Sequence, residues 1–458
     1  MKYNMKQKAE SNRQKALGGS LRAGLSATSP RPLARKPTQL WAFRFYPCRS
    51  MILILGLFTS IQMQAQILSL DSVLTRIDKN NPMLQGNDFK VSALEEYSGG
   101  AKSWMAPMVG GGTFMTPYPN QMIMEEGDKG AWMFSLEQEI PNPAKLKANQ
   151  NYLQSRANVE KQNRAIQFNN LRSEAKTYYY QWLVAEKKMS VLDENARIME
   201  LLLKLAKIRY PYNQGNLGNI YKAEGRLGEV QNRLLMTRSD IEGNSYRLKA
   251  LMSISPSDSI MIDTATVVEF VPEQLIYDTA SLSEQRSDIR QINETIEVMR
   301  LNQQLQKVKT KPDFKIRFDH MQPVGNMPSQ FSAMAMVSIP IAPWSSKMYK
   351  TEVKGLQYDI QAMQRGREAI LIETRGMLAE MASQIIRMKQ QLDNYKTKII
   401  PALRKNYQTL MLAYEENQEQ LPLVIDGWEA LNTAQMDYLE RMEAYYKMGI
   451  GYEKELEK

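Results

Sequence analysis

Apolar or small side chains fall at Leu171, Ala175, Tyr178, Trp182, Ala185, Met189, Leu192, Ala196, Met199, Leu203, Ala206 and Tyr210, in strictly alternating steps of four and three. This is a heptad seam, and it predicts a long helix packed in coiled-coil fashion. Neither Pro nor Gly lies between Pro143 and Pro211, so the window allows a rod of about 100 Å. Leu378, Met381, Ile385, Met388, Leu392, Tyr395 and Ile399 form a second seam. Its window, 345–414, is interrupted by Gly355, Gly366, Gly376 and Pro401. Turn-like stretches follow each seam, at 213–219 and 415–422, and return helices are expected from about Ile220 to Met252 and from about Leu423 onward.

Four short segments switch to a two-residue period. Ala131–Ile140 alternates Trp132, Phe134 and Leu136 with Ser135, Glu137 and Glu139. Phe314–Asp319 alternates Phe314, Ile316 and Phe318 with Lys315, Arg317 and Asp319, and Phe331–Ile341 keeps one apolar face. Met108–Tyr118 is a Gly-rich fourth candidate. Such segments fit strands crossing an outer membrane, and they fit a soluble hairpin nearly as well.

The segments recur in two halves. Asn81-Pro82-Met83-Leu84 corresponds to Arg286-Ser287-Asp288-Ile289, and Pro107 to Pro312, both at an offset of 205 residues. Past the hairpins the offset shrinks to 202, where Tyr212, Glu224 and Gly225 correspond to Tyr414, Asp426 and Gly427. Each half then reads helix, hairpin, long helix, return helix. The expected organisation is a first repeat over 66–255 with a hairpin at 107–141, a linker or equatorial segment at 256–280, and a second repeat over 281–458 with a hairpin at 312–341. Four strands cannot close a barrel in lipid, because unpaired edge groups cost several kcal/mol each in hydrocarbon. Three copies sharing four strands each would give twelve, within the range of outer-membrane barrels.

Charge and chemistry narrow the function. Eleven of the 59 basic residues lie in the first 50 positions against Glu10 as the one acid there, which leaves 48 basic and 48 acidic side chains beyond. The net charge of +10 is thus a property of the leader and does not point to nucleic acid. Met51–Phe58 is an apolar run preceded by Arg44 and Arg49 and followed by small Ala65. This is the layout of a secretory signal, with cleavage expected after Ala65 and residues 1–65 removed. The long stretch before it leaves two starts open, Met1 or a residue near Met51. Cys48 is the sole cysteine and precedes the run, so no disulfide is expected in the mature chain. One histidine, His320, expected at a strand end, and no mature cysteine leave no nucleophilic triad or zinc set. No enzyme activity and no cofactor are expected.

The duplication, the Asn81-Pro82-Met83-Leu84 opening, Tyr212 to Gly215, Arg286 to Ile289, Ile399 to Ala402 and Ala413 to Asn417 before Asp426 resemble the TolC family of outer-membrane efflux factors. Gln138 to Leu146, Lys311 to Phe314 and Met336 to Ile341 resemble its heavy-metal, Cus/Czc-type members. The resemblance implies a mostly α fold with a small β part and an internal two-fold repeat. It implies a homotrimer with a shared 12-stranded barrel in outer-membrane lipid, continued by a long periplasmic α-helical coiled-coil barrel. The implied partners are a periplasmic adaptor (membrane fusion) protein and an inner-membrane transporter of the RND type. The alternatives are an outlet for type I protein or peptide secretion and a coiled-coil scaffold without a pore.

The resemblance also implies acidic residues ringing a periplasmic aperture. Asp426 falls at such a position, Glu429 lies one turn beyond it, and Glu224 is the counterpart of Asp426 in the first half. Gly215, Gly218, Asn417 and Gln418 are candidates for tips that touch the adaptor, although turn chemistry alone accounts for them. Met334 and Met336 are two apart on one strand, and thioethers suit Cu(I). Methionine is more often a flexible gap filler, so no metal site is assigned.

Overall fold

The fold is that of a computed structural model, which describes residues 66–458 other than 124, 214, 265–267 and 273–278. The expected leader, its cleavage point and Cys48 lie outside the described residues.

Two Asn-Pro steps start helices in the first half. Strand β1 (Gln66–Leu68) leads into α1 (Leu70–Asn80), and Asn81 then caps α2 (Pro82–Gly100) by accepting the Met83 N–H at 3.0 Å. Its amide also donates to Leu251 O at 3.0 Å, which fastens this corner to the end of α4 (Leu217–Leu251). Asn142 repeats the device for α3 (Pro143–Arg209), accepting from Ala144 N–H at 3.0 Å. Pro suits the first helical turn because its missing N–H has no partner there.

Helix α3 runs 67 residues without a break. It packs against α1, α2, α4, α6 (Ser287–Val308) and α9 (Leu421–Glu455). That central position makes its buried stripe wider than the heptad seam. Leu171, Ala175, Trp182, Leu192, Met199 and Ala206 of the seam are buried, and so are Tyr179, Leu183 and Leu202 on the adjacent face. Tyr210, the last seam position, is exposed.

Beyond α4 the chain adds β4 (Ile260–Ile262), α5 (Thr279–Gln285), α6, α7 (Pro343–Asn394), α8 (Ile400–Glu415) and α9. Gly355, Gly366 and Gly376 do not interrupt α7. An interior glycine costs a helix only about 1 kcal/mol, which neighbouring turns absorb. Pro401 has a larger effect, and a π turn, Tyr395–Ile399, separates α7 from α8. The segment expected as a linker contains β4, which pairs in parallel with β1. It also contains Phe270, buried against Tyr445 of α9.

The second sheet has four strands in the order β2 (Met108–Phe114), β3 (Ala131–Ile140), β5 (Phe314–Pro323) and β6 (Gln330–Val337), all antiparallel. Strand β2 stops short of Tyr118, and Met115 takes a positive φ just beyond it. Strand β6 ends at Val337 rather than Ile341, three residues before Pro340, which cannot donate to a ladder. Strand β5 runs four residues past Asp319, so His320 lies within it, opposite Phe134 and Phe331.

Two apolar clusters hold the helices. One joins Leu183 and Tyr179 of α3 with Leu378 and Ile385 of α7 and Tyr445 and Ile450 of α9. The other gathers Met199, Leu202, Ile220, Ala223, Tyr414, Val424 and Trp428 near the helical turns. No helix among the described residues is long and apolar enough to cross a membrane.

Candidate functional site

Two places on the chain gather the residues singled out by sequence, the four-stranded sheet and the paired helical turns. The sheet register sorts side chains by parity, because successive residues point to opposite faces. One face carries Val109, Trp132, Phe134, Leu136, Ile316, Phe318, Phe331 and Val337. All of these are exposed in the protomer, Val109 by 80% and Phe331 by 72%. An uncovered apolar face of this size marks contact with another molecule or with lipid.

The other face carries the ion pairs of the sheet, interspersed with methionines. Lys315 pairs with Glu137, and Arg317 Nε lies 2.9 Å from Asp319 Oδ1. Asp319 is 3% exposed, and the partly exposed Arg317 guanidinium supplies its counter-charge. Met334 stands opposite Arg317 and Met336 opposite Lys315, which puts both methionines on this face. The outer strands β2 and β6 each have one edge unpaired within the sheet.

Polar ties fix the sheet to the helices. Asn142 N–H donates to Asp313 Oδ1 at 3.1 Å, and Lys145 Nζ lies 2.5 Å from Asp313 Oδ2. Ser338 Oγ accepts from Asp313 N–H at 2.8 Å. Through its carboxylate and its backbone, Asp313 thus holds the ends of β3, β5 and β6 together at the entry to α3.

At the other end the two turns share a notch of about 610 Å³. Asn213 and Asn417 take left-handed φ values of 56° and 57°, which reverse the chain after α3 and α8. Gln418 N–H donates to Ala413 O at 2.8 Å and so closes the end of α8. Asn216 caps α4 by accepting from Gly218 N–H at 2.9 Å. Gly215 and Asn417 line the notch; Gly218 and Gln418 lie outside its lining.

Arg209, which sequence reading missed, joins the turns. Its guanidinium donates to Tyr414 O at 2.8 Å and Glu415 O at 3.1 Å, and it stacks 4.2 Å from the Tyr414 ring centroid. Burial raises the Tyr414 phenol pKa, against the opposing Arg209 charge, so the hydroxyl stays neutral. A basic residue in the last turn of a long helix was the available signal.

The acidic candidates are already partnered. Lys222 Nζ lies 2.7 Å from Asp426 Oδ1, and Arg226 Nη2 lies 2.7 Å from Glu429 Oε2. Arg226 also pairs with Glu229 at 2.8 Å; that hydrogen bond first, against desolvation, and then the Glu429 charge hold its pKa above the usual value. Lys222 and Arg226 are four apart, and Asp426 and Glu429 three apart, so each pair presents one helix face to the other. Sequence reading missed both cations, which this matching spacing could have flagged. Glu224 is exposed on α4, about 200° around the helix from Lys222, and the structure does not bring it to the other two acids.

No protein-family model matches the chain, and no curated protein matches it. Solved structures do. The CusC channel matches at a TM-score of 0.70 with 12% identity, over 88% of this chain and 95% of that one. The outer membrane protein VceC of Vibrio cholerae matches at 0.65 with 11% identity, over 84% and 95%. The open state of the Neisseria gonorrhoeae MtrE outer membrane channel matches at 0.66 with 12% identity, over 84% and 88%. At such identities a likeness shows the fold alone: the chain shares with these outer-membrane channel proteins a mostly α fold with a small sheet.

Proposed function

We propose that this protein is the outer-membrane channel of a tripartite efflux system, working as a homotrimer that conducts solute and catalyses no reaction. The observation that carries this reading is the sheet, with one face apolar and exposed, the other ion-paired, and both edges open. Neither edge can stay unpaired in hydrocarbon. Pairing β6 of one copy with β2 of the next satisfies both and yields twelve strands, with the ion-paired face lining the pore. The two halves, 66–255 and 281–458, act as repeats that each supply one hairpin to the barrel. The helices extend the tunnel into the periplasm, where an adaptor protein meets the notch between the turns, and an RND-type pump supplies solute.

The aperture belongs to the tips. Asp426 and Glu429 would recur three times around the axis, each tied to α4 through Lys222 and Arg226, so the ring is closed by ion pairs rather than built of free acids. Heavy-metal cations are the narrower cargo we propose, on the likeness of residues 138–146 and 311–314 to such systems. Protein purified in detergent should have the mass of three chains and form cation-conducting pores in a planar bilayer. A folded monomer that remains in solution without detergent would remove the channel reading and favour the scaffold.

A further inference from the structure

Three exposed tryptophans among the described residues mark the two ends of the four-stranded sheet. Trp132 is the second residue of β3, at the end where the strand-to-strand loops lie. Trp104 precedes β2 and Trp344 is the second residue of α7, both at the end where the helices begin, and they are 56% and 85% exposed. Indole rings collect at membrane–water boundaries because one end is apolar and the other donates a hydrogen bond. Strand β3 has ten residues, about 33 Å along its axis and about 25 Å when tilted by about 40°, the height of an outer-membrane apolar band.

Charge divides the same two ends. The loops of the sheet, 115–130 and 324–329, carry Glu125, Glu126 and Asp128 against Lys129 alone. The connections at the helix end carry lysine instead. Lys102 precedes β2, and Lys145 and Lys147 follow β3. Lys307, Lys309 and Lys311 precede β5, and Lys347 and Lys350 follow β6 in the opening turns of α7. Asp313 is the one acid in these stretches, 101–107, 141–147, 307–313 and 338–350, and Lys145 takes it. Among the described residues no carboxylate pairs with the other seven lysines.

Helix electrostatics does not account for this belt. A cation suits a helix C-terminus, which covers Lys307 and Lys309 at the end of α6. Lys145, Lys147 and Lys347 stand instead in the first two turns of α3 and α7, nearest the positive end of each dipole. Neither helix has an acid in its first turn to offset them. The level where sheet meets helices is therefore positive, with almost no anion of the chain to balance it.

We infer that this belt binds the headgroups of anionic phospholipids at the helix end of the sheet. Its place in lipid rests on the channel reading, which immerses the exposed apolar face. Lysine reaches a phosphate layer by laying its methylenes along apolar surface and its ammonium at the boundary. Ile339, Ile341, Trp344 and Met348, all exposed, supply such surface on either side of Lys347 in the chain. One lysine near an anionic surface favours it by about fivefold. The acidic loop end gives no such attraction.

Tryptophan quenching on the full chain in vesicles tests the belt. The probes are brominated phosphatidylglycerol and brominated phosphatidylcholine, at one mole fraction in phosphatidylcholine. With Trp132→Phe, the tryptophans left beside the sheet are Trp104 and Trp344; Trp182 and Trp428 are buried among the helices and give a constant background. Phosphatidylglycerol should quench as if enriched about fivefold or more around them. With Trp104→Phe and Trp344→Phe, Trp132 reports the loop end, and the two lipids should quench alike. Lys309→Gln, Lys311→Gln, Lys347→Gln and Lys350→Gln together should abolish the preference at the helix end. Salt at about 1 M should do the same to the protein with its lysines intact, which serves if that variant does not fold. Inorganic phosphate at matched ionic strength should leave the preference in place; its loss would assign the belt to a free anion and overturn the lipid. Equal quenching by both lipids at the helix end, or a preference that survives neutralisation, overturns it too. So does a neutralised variant that alters ion selectivity but not quenching, since its lysines would line the pore. No quenching of Trp104 and Trp344 by either lipid would take the sheet out of the membrane and remove the channel reading itself.

Discussion

Lys222 of α4 and Asp426 of α9 meet at 2.7 Å, joining the return helices of the two halves beside the turn region. The pair makes Asp426 a clasp between α4 and α9, besides its proposed place in an acidic ring. Opposite changes at the two positions separate these roles. Asp426→Ala should raise single-channel conductance and relieve divalent-cation block, whereas Lys222→Ala should leave the carboxylate unpaired and strengthen that block. Both changes should alter stability by less than about 1 kcal/mol, because the pair is partly exposed. Unchanged conductance and block in both variants would remove Asp426 from the aperture.

Arg209 closes the end of α8 with two hydrogen bonds and a ring contact. Lysine keeps the charge but loses the planar fork. Arg209→Lys should weaken the tip by about 1.5–3 kcal/mol, read as faster amide exchange over 414–419. Exchange equal to that of the unmodified protein would show that the turn holds without the guanidinium.

Gly449 lets Phe270 lie flat on α9, since a Cβ there would stand 2.3 Å from the ring. Phe270 N–H also donates to Tyr445 Oη at 3.0 Å. Gly449→Ala should destabilise the protein by about 1–3 kcal/mol through overpacking. Phe270→Ala in the same chain should cost less than the two changes summed, because both act at one contact. Strict additivity in denaturant unfolding would refute the contact.

The two sheet faces should respond differently to charge. Leu136→Arg, on the apolar face, should cost about 2–4 kcal/mol of membrane insertion if it sits near the bilayer midplane. Ser135→Arg, its neighbour on the ion-paired face, should insert normally and alter ion selectivity. Equal recovery of both variants in the membrane fraction would contradict the assignment of faces.

The local elements and their two-sidedness are legible in the order of residues alone. Steps of three and four marked α3, and a two-residue period marked β3 at its observed limits. These signals act through neighbours a few residues apart, so they survive in the bare chain. Which distant groups meet emerges from the packing of the folded chain. Strand order β2-β3-β5-β6 pairs β3 with a strand far along the chain, Lys222 finds Asp426, and Phe270 finds Gly449. Pro401 shows the same division: its sequence signal warned of a break, as the three glycines did. The proline alone interrupts the rod because its missing donor and ring clash cannot be absorbed by adjacent turns, whereas the entropic cost of each glycine can.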